Sequence, residues 1–220
     1  MSFLSVMMLL SVAKHAVLIK NRTVAAKVMT LTCCEILVGL IAFNYTIKGG
    51  SAMAGQNGKE IAQTVRTKMA EFKRAFEGID EESSSQASEG RWSPKQIVSH
   101  LCGPEGIGHL PGLRAFLAED TPLLDLKPEN PYWSEGRTKM TLSELLSEFD
   151  REYSEIAAFV EGLSEDQLSR KAHIPMLRES SLGEYPTLAQ WVIAFSSYHI
   201  DFHANHLRKI MQALRIQIRP

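Results

Sequence analysis

The chain has 220 residues, of which 45% are hydrophobic and 22% are charged, a composition typical of a globular protein of about one domain. Its formal net charge of −1 argues against a nucleic-acid binder that depends on a basic surface. Only three cysteines are present, which excludes a disulfide framework and favours a reducing, cytoplasmic setting for the body of the protein.

Residues 1–52 form a hydrophobic, basic head with a single acidic residue, Glu35. Its second apolar run is about 20 residues long, the length of a membrane-spanning helix, but it contains Glu35 and Asn44, which make insertion costly. Three interpretations stay open. The head is a membrane anchor of one or two helices, a targeting leader that is removed, or sequence upstream of a start at Met53. The glycine-rich stretch GGSAMAGQNG places the boundary near residues 49–57, before a body that spans 53–220.

The first two helices of the body are predicted from their periodicity and their N-terminal signals. Apolar residues recur at helical spacing from Lys59 to Ile79. A second helix opens in RWSPKQIVSHL, with Ser93 as N-cap, Pro94 at the first helical position and Gln96 completing a capping box. The prolines and glycines beyond it predict a kink or a restart before the helix ends near residue 119.

Two more helices follow a loop that is rich in proline and aromatic residues. Thr141 and Glu144 form a capping box that opens a helix to about residue 162, and Thr187 opens a last helix to about residue 214. Between them, Ser164 predicts a short helical turn and KAHIPML a short extended piece. The sequence therefore predicts an all-α four-helix bundle, preceded by a hydrophobic helical N-terminal segment.

The last predicted helix contains the stretch SSYHIDFHANHLRK, which holds three of the seven histidines. At about 100° per residue, His199, His203 and His206 project from one narrow stripe. An i, i+4 pair can place two imidazole nitrogens about 2.0–2.1 Å from one metal ion. The competing interpretation is a stripe of solvated or core histidines. A third ligand would come from another helix, with His100 the best candidate and His109 the alternative.

RWSPKQIVSHL and TLAQWVIAFSSYHIDFHANHLRKI together resemble the two signature segments of the DinB-like (YfiT-like) metal-binding four-helix bundles. The resemblance spans about residues 56–216 and implies that His100, His199 and His203 are the metal ligands. His206 then becomes a neighbour that supports a ligand or lines the mouth of the site. Other residues match positions that shape the helices of the family: Trp92, Ser93, Leu101, Thr187 and Leu188.

A site of three histidines leaves coordination positions open, which is typical of metal sites that carry out chemistry. Either zinc or nickel suits such nitrogen ligands. The resemblance implies a metal-dependent transferase of the thiol S-transferase type, using a low-molecular-weight thiol, or a hydrolase, in either case acting on a small molecule. Two alternatives are a non-catalytic, stress-associated metal or ligand binder, and a helical interaction protein held at a membrane by residues 1–52. A homodimer is left open, and no catalytic residue is assigned.

Supporting residues are also predicted around the metal site. Glu105 and Asp201 are candidates to orient an imidazole, and Tyr198, Trp133 and Tyr132 are candidates to line a substrate mouth. Asp201 lies about 160° around the helix from His199, which favours a solvated acid. Cys102 is expected to be a small buried residue.

Overall fold

A computed structural model describes residues 57–87, 90–126 and 130–214. The hydrophobic head at residues 1–52 lies outside these ranges, as does nearly all of the proposed boundary at 49–57, so both stay predictions. None of the helices in the described ranges is long and apolar enough to cross a membrane.

The described chain is helical, with only isolated β-bridges between its loops. The helices are α1 (Gly58–Arg74), α2 (Glu81–Ser85), α3 (Pro94–Cys102), α4 (Leu110–Ala118), α5 (Glu135–Lys139), α6 (Leu142–Glu161), α7 (Glu165–Ser169), α8 (Leu188–Ile193) and α9 (His199–Ala213). A 3₁₀ turn occupies Pro175–Leu177. The four-helix architecture predicted from the sequence is confirmed, with α1, the α3–α4 pair, α6 and the α8–α9 unit as its long elements.

Side-chain caps set where most of these helices begin. The predicted capping boxes at Ser93, Thr141 and Thr187 are all present, and Ser164 forms another at the start of α7. In each, the hydroxyl accepts the backbone N–H three residues on, which satisfies a donor that the first turn would otherwise leave unpaired. The short helices α2 and α5 were not predicted, although Asp80 and Ser134 cap them in the same way.

The predicted second helix is two helices. It stops at Gly103, which has φ +74°, a conformation that favours glycine, and Pro104 follows. A Cβ at Gly103 would lie 2.9 Å from the ring of His109, so the close approach of that ring also needs glycine. The chain then turns and begins α4 at Leu110. The irregularity expected from the proline and glycine content is therefore a full break.

The hydrophobic core is formed where α6 packs against α1 and α3, and where α8 and α9 close the bundle over α1. Each long helix contributes one apolar face at helical spacing, as the sequence pattern predicts. Core residues with essentially no exposure include Ile61, Val65, Phe72, Ile97, Leu101, Leu145, Phe149, Tyr153, Ile156, Leu188, Val192 and Leu207.

The predicted fourth helix is continuous in the chain but not uniform. Between α8 and α9, residues Ala194–Tyr198 form a π-helical turn, in which the N–H of His199 donates to the carbonyl of Ala194. Single π-turns of this kind frequently lie at functional sites. The turn shifts the register of α9 against that of α8, while His199 and His203 keep their i, i+4 relation because both lie in α9.

The segment KAHIPML is extended only at two residues. His173 forms a parallel bridge with Leu123, and Lys171 an antiparallel bridge with Thr187. These contacts tie the connector after α7 to the loop after α4 and to the start of α8.

Candidate metal centre

Three imidazoles from two helices meet at one point of the bundle. His100 comes from the last turn of α3, and His199 and His203 come from the first two turns of α9. The Nε2 atoms of His100 and His199 are 2.9 Å apart, and those of His199 and His203 are 3.1 Å apart. Within the described residues, these three histidines are the group whose potential ligand atoms all lie within 4.8 Å of one another.

The proton on His100 can be assigned from its partner. Its Nδ1 lies 2.7 Å from the backbone carbonyl oxygen of Asn130, which can only accept, so Nδ1 carries the hydrogen. In the neutral imidazole, the Nε2 of His100 is then unprotonated, and its lone pair faces His199. This is the tautomer that a histidine adopts when its Nε2 binds a metal and its other nitrogen is held by a carbonyl.

Hydrogen bonds among the imidazoles do not account for the contacts at His199. Its Nε2 has two nitrogen neighbours, at 2.9 Å and 3.1 Å. A ring nitrogen has one in-plane direction, which holds either a hydrogen or a lone pair, so it forms one good hydrogen bond. Separations of about 3 Å do match two nitrogens that each lie about 2.0–2.1 Å from one ion. The three donors fit a shared metal ion better than they fit one another.

Aromatic rings enclose the cluster. The indole of Trp92 is stacked parallel to the ring of His203 at 5.9 Å and also contacts His100 at 4.9 Å. The ring of Tyr132 stacks on that of His100, with 6.2 Å between ring centres. Phe202 meets His203 edge to face at 5.1 Å. These walls hold the imidazoles in place and keep the local dielectric low.

Burial keeps the three imidazoles neutral. It lowers the pKa of His100 to about 4, against the opposing effect of the hydrogen bond to Asn130. Burial also lowers the pKa of His199 and His203 well below the usual value, and the neighbouring histidines add to that effect. Neutral imidazoles are the form that binds metal ions.

His109, the alternative third ligand, lies outside the cluster. Its Nε2 donates to the carbonyl of Leu101 at 3.0 Å, which satisfies a carbonyl at the end of α3, and its ring packs on Phe195 at 4.5 Å. Burial lowers its pKa to about 4. The Phe195 ring in turn stacks on His199, so His109 adjoins the site through an aromatic contact.

The predicted supporting residues are in different places. His206 is half-buried one turn beyond His203, with ring centres 6.0 Å apart, and it also contacts Trp92 at 6.2 Å. Glu105 is exposed, and its carboxylate lies against Gly136 at the start of α5. Glu105 makes no hydrogen bond to the ring nitrogens of the cluster within the described ranges, so its orienting role stays a prediction.

The remaining predicted residues can also be located. Tyr198 and Trp133 are half-buried against the core, and their role at a substrate mouth stays a prediction. Asp201 faces α1 and forms an ion pair with Lys68 at 2.9 Å, as expected for an acid on the side of α9 away from the histidines. Cys102 is 1% exposed, and burial raises the pKa of its thiol.

The residues that hold His100 were not predicted from the sequence. Asn130 supplies the acceptor for its Nδ1, and Ser99 and the buried Arg137 bind the backbone of the same loop. No local pattern marks these residues. The contacts of Asn130 with His100 and of Ser99 with Pro131 join positions about 30 apart in the chain, and Arg137 lies 38 positions from Ser99, whose carbonyl it also binds. The available signal in the sequence was the segment VSHL, in which two apolar residues flank Ser99 and His100 and so indicate that both polar side chains are buried.

Comparisons with known proteins identify the family and the fold of the chain. A sequence model of the DinB superfamily matches residues 63–207, about two thirds of the chain. Among solved structures, that of YfiT from Bacillus subtilis matches with a TM-score of 0.58 and 20% identity, over 73% of this chain and 89% of that one. YfiT is described as a probable metal-dependent hydrolase with an unusual four-helix bundle topology. No curated protein sequence matches the chain significantly.

Proposed function

The chain belongs to the DinB superfamily, and from that premise we propose that it binds one divalent metal ion through His100, His199 and His203. The observation that carries the proposal is the convergence of their Nε2 atoms, with 2.9 Å and 3.1 Å between neighbours. The Nδ1 hydrogen of His100 is already held by Asn130, which leaves its Nε2 lone pair directed at the other two.

We propose that the ion is zinc or nickel, bound by three neutral nitrogens. An ion held in this way would keep open positions, and there it would lower the pKa of a bound water or thiol or polarise a carbonyl. The charges that act on the pKa of the three imidazoles come from other histidines. Because the ligand group found among the described residues contains no carboxylate to offset its charge, the ion would favour an anionic ligand.

We propose that this ligand is the thiolate of a small thiol, and that the protein is a thiol S-transferase. A thiol has an ordinary pKa near 8.5, so it can be deprotonated without a nearby general base. Water has a much higher pKa, about 15.7, and is harder to deprotonate. The thiol releases its proton to solvent, its sulfur bonds to an electrophilic carbon of a small molecule, and the leaving group departs with its electron pair. Trp133 and Tyr198 are the candidates to line the entrance for that molecule.

Hydrolysis is the second candidate reaction. It is supported by the likeness to YfiT, which is described as a probable metal-dependent hydrolase. The two reactions differ in the nucleophile, so they can be separated directly. Protein loaded with Zn²⁺ or Ni²⁺ would be given an aryl or alkyl halide with a small thiol, and separately an amide and an ester without thiol. Product that forms only with thiol supports transfer, and product that forms without thiol supports hydrolysis.

A non-catalytic metal or ligand binder is the remaining alternative. It is favoured by the hydrogen-bonding of the cluster, whose ring nitrogens have no carboxylate partner in the described part of the chain. Turnover in neither assay, with stoichiometric metal bound, would support that alternative. A homodimer and a contact of residues 1–52 with a membrane both stay proposals that sedimentation and fractionation would test.

The metal site itself is tested by elemental analysis. We expect about one Zn²⁺ or Ni²⁺ per chain after reconstitution and dialysis, and a fall in affinity of at least about 100-fold in His100→Ala, His199→Ala and His203→Ala. His173→Ala is the matched control, because His173 lies in the connector after α7, stacked on Tyr185. Wild-type metal content in all three ligand variants would exclude the site.

A further inference from the structure

A buried arginine lies behind the His100 side of the site. Arg137 in α5 has no exposed surface, and its only described carboxylate partner is Glu148 of α6, with Nη2 and Oε1 2.7 Å apart. The other side of the guanidinium faces backbone carbonyls. Nη1 donates to the carbonyls of Ser99 at 2.9 Å, Gly103 at 2.5 Å and Tyr132 at 3.3 Å. One side chain thus joins α6, the end of α3 and the loop before α5.

The loop it binds is held in an unfavourable backbone conformation. Tyr132 has φ +50°, in the left-handed region that a bulky residue rarely adopts. Its carbonyl accepts hydrogen bonds from the N–H of Ser134 at 3.0 Å and from Arg137, and at 3.0 Å it shares the single hydroxyl hydrogen of Ser99 with the carbonyl of Pro131. Ser99 Oγ also reaches the carbonyl of Pro131 at 2.7 Å. These donors hold the bend in place.

The same bend makes the two contacts that orient His100. Asn130 turns its carbonyl to the Nδ1 of His100, while its side chain accepts the N–H of Tyr132 at 2.8 Å. The ring of Tyr132 stacks on the imidazole, with an angle of 13° between the planes. If the bend relaxed, His100 would lose both its acceptor and its stacking partner.

We infer that Arg137 is a positioning residue for His100: by holding the strained Asn130–Tyr132 bend, it fixes the imidazole with Nε2 unprotonated and aimed at the metal position. The inference rests on the proposed metal site. The competing explanation is that Arg137 only stabilises the fold, by pairing with Glu148 and by binding carbonyls at the end of α3. The two differ in whether the tautomer of His100 depends on Arg137.

The first test compares two variants with matched controls. Arg137→Lys keeps the charge but loses the planar fork that reaches several acceptors at once. Ser99→Ala is uncharged and removes a hydroxyl that binds the bend and also accepts a hydrogen bond from Nη1 of Arg137 at 3.2 Å. The controls are Arg66→Lys, which alters an arginine paired with Glu161 of α6, and Ser84→Ala, which removes a buried hydroxyl that donates to the carbonyl of Glu81.

The readouts are the ring ¹⁵N shifts of His100 in metal-free protein and the affinity for Zn²⁺ by competition with a chromophoric chelator. We expect a mixture of His100 tautomers and a loss of Zn²⁺ affinity of about 10- to 100-fold in Arg137→Lys, a smaller change of the same kind in Ser99→Ala, and neither change in the controls. Folded variants with the wild-type tautomer and affinity would overturn the inference.

A double-mutant cycle with Tyr132→Gly tests the strained bend, with Tyr132→Ala as the control that loses the same ring but keeps the strain. Glycine adopts positive φ without strain, so the bend should then need Arg137 less. We expect Arg137→Lys to lower Zn²⁺ affinity by a smaller factor in the Tyr132→Gly protein than in wild type. Equal factors in the two backgrounds would assign Arg137 a structural role only.

The two proposals fail in different ways. If wild-type protein binds no Zn²⁺ or Ni²⁺, the metal site is wrong, whatever the His100 tautomer does. If wild type binds metal and Arg137→Lys binds it equally well with the same ¹⁵N spectrum, the metal site stands and the role of Arg137 is wrong. Should Arg137→Lys fail to fold, Ser99→Ala with Ser84→Ala as control decides the question by the same two readouts.

Discussion

His100 and the histidine pair of α9 present nitrogens to the same point, but different parts of the fold hold them. His100 has a hydrogen-bond acceptor for its second nitrogen and a stacked tyrosine, both supplied by a loop about 30 residues away in sequence. For His199 and His203, the buried Nδ1 atoms have no hydrogen-bond partner among the described residues. Their orientation comes from the helix itself and from the rings of Trp92, Phe195 and Phe202.

The two sides of the site orient a metal-binding imidazole in different ways, one by a hydrogen bond and the other by packing. On the α3 side a polar contact selects one tautomer before any ion arrives, so little is lost when a ligand bond forms. On the α9 side packing fixes the position of the rings but leaves a buried N–H or lone pair unmet, which costs stability in the metal-free protein. The π-helical turn Ala194–Tyr198 belongs to that second side, since it directly precedes His199.

Leucine substitutions at the two sides should therefore change the stability of the metal-free protein in opposite directions. In His203→Leu, a side chain of similar volume removes a buried nitrogen that has no partner, so we expect the free energy of unfolding to rise by about 1 kcal/mol. In His100→Leu, the carbonyl of Asn130 loses its donor, so we expect a fall of about 1–3 kcal/mol. Urea unfolding with a chelator present at neutral pH measures both values.

Metal ions should reverse the stability order of wild type and His203→Leu. Binding to the native state stabilises wild type by an amount that grows with ion concentration, whereas both leucine variants lack a ligand and gain little. Wild type should therefore become the most stable of the three in excess Zn²⁺. Equal losses of metal-free stability in the two variants would mean that the α9 pair is as well satisfied as His100.

Acid should destabilise the metal-free protein, and both sides of the site contribute. His100 has a pKa of about 4 in the folded protein, below the ordinary value near 6.5, so the unfolded chain takes up protons first as the pH falls. Stability from this group is therefore complete above about pH 6.5 and is lost as the pH falls towards 4. Between pH 7 and pH 5 the loss from one such imidazole is about 2 kcal/mol.

The contribution of His203 can be measured by comparing the pH dependence of stability in wild type and in His203→Leu. His109 has a pKa of about 4 as well, and burial lowers the pKa of His199 and His203, so wild type should lose stability steeply. His203→Leu carries one imidazole fewer and should lose less between pH 7 and pH 5, as judged by urea midpoints at each pH. An identical pH dependence in the two proteins would mean that His203 is not held neutral in the fold.

Much of the fold could be predicted because its determinants are local. Thr141 and Thr187 cap helices that begin within a residue of the predicted positions, and the apolar periodicity of α6 gives its buried face. Five-residue helices such as α2 and α5 were missed because a helix of that length has too few residues to display a period. The π-helical turn was missed because nothing in the composition of AFSSY distinguishes it from α-helix.

The site residues also divide into those that local sequence predicts and those that depend on distant contacts. The i, i+4 spacing of His199 and His203 is a local feature and predicts that their rings share a face of α9. The pattern already favoured His100 over His109, because prolines and glycines surround His109, and the family resemblance implied the same choice. The direction of each ring depends on the break at Gly103. Asn130 and Arg137 could not be predicted at all, since their roles depend on a loop conformation set by contacts between distant parts of the chain.

The opposite face of α9 gives the smallest expected effect and a check on the whole comparison. Asp201 pairs with Lys68 of α1 at 2.9 Å, but its side chain is 47% exposed, so water and salt screen the pair. We expect Asp201→Asn to change the free energy of unfolding by less than about 0.5 kcal/mol, less still at high salt, and to leave Zn²⁺ affinity unaltered. Chemical unfolding at two salt concentrations and the chelator competition measure these effects. A large fall in Zn²⁺ affinity would mean that charge on the outer face of α9 reaches the histidines, and that packing alone does not hold the pair.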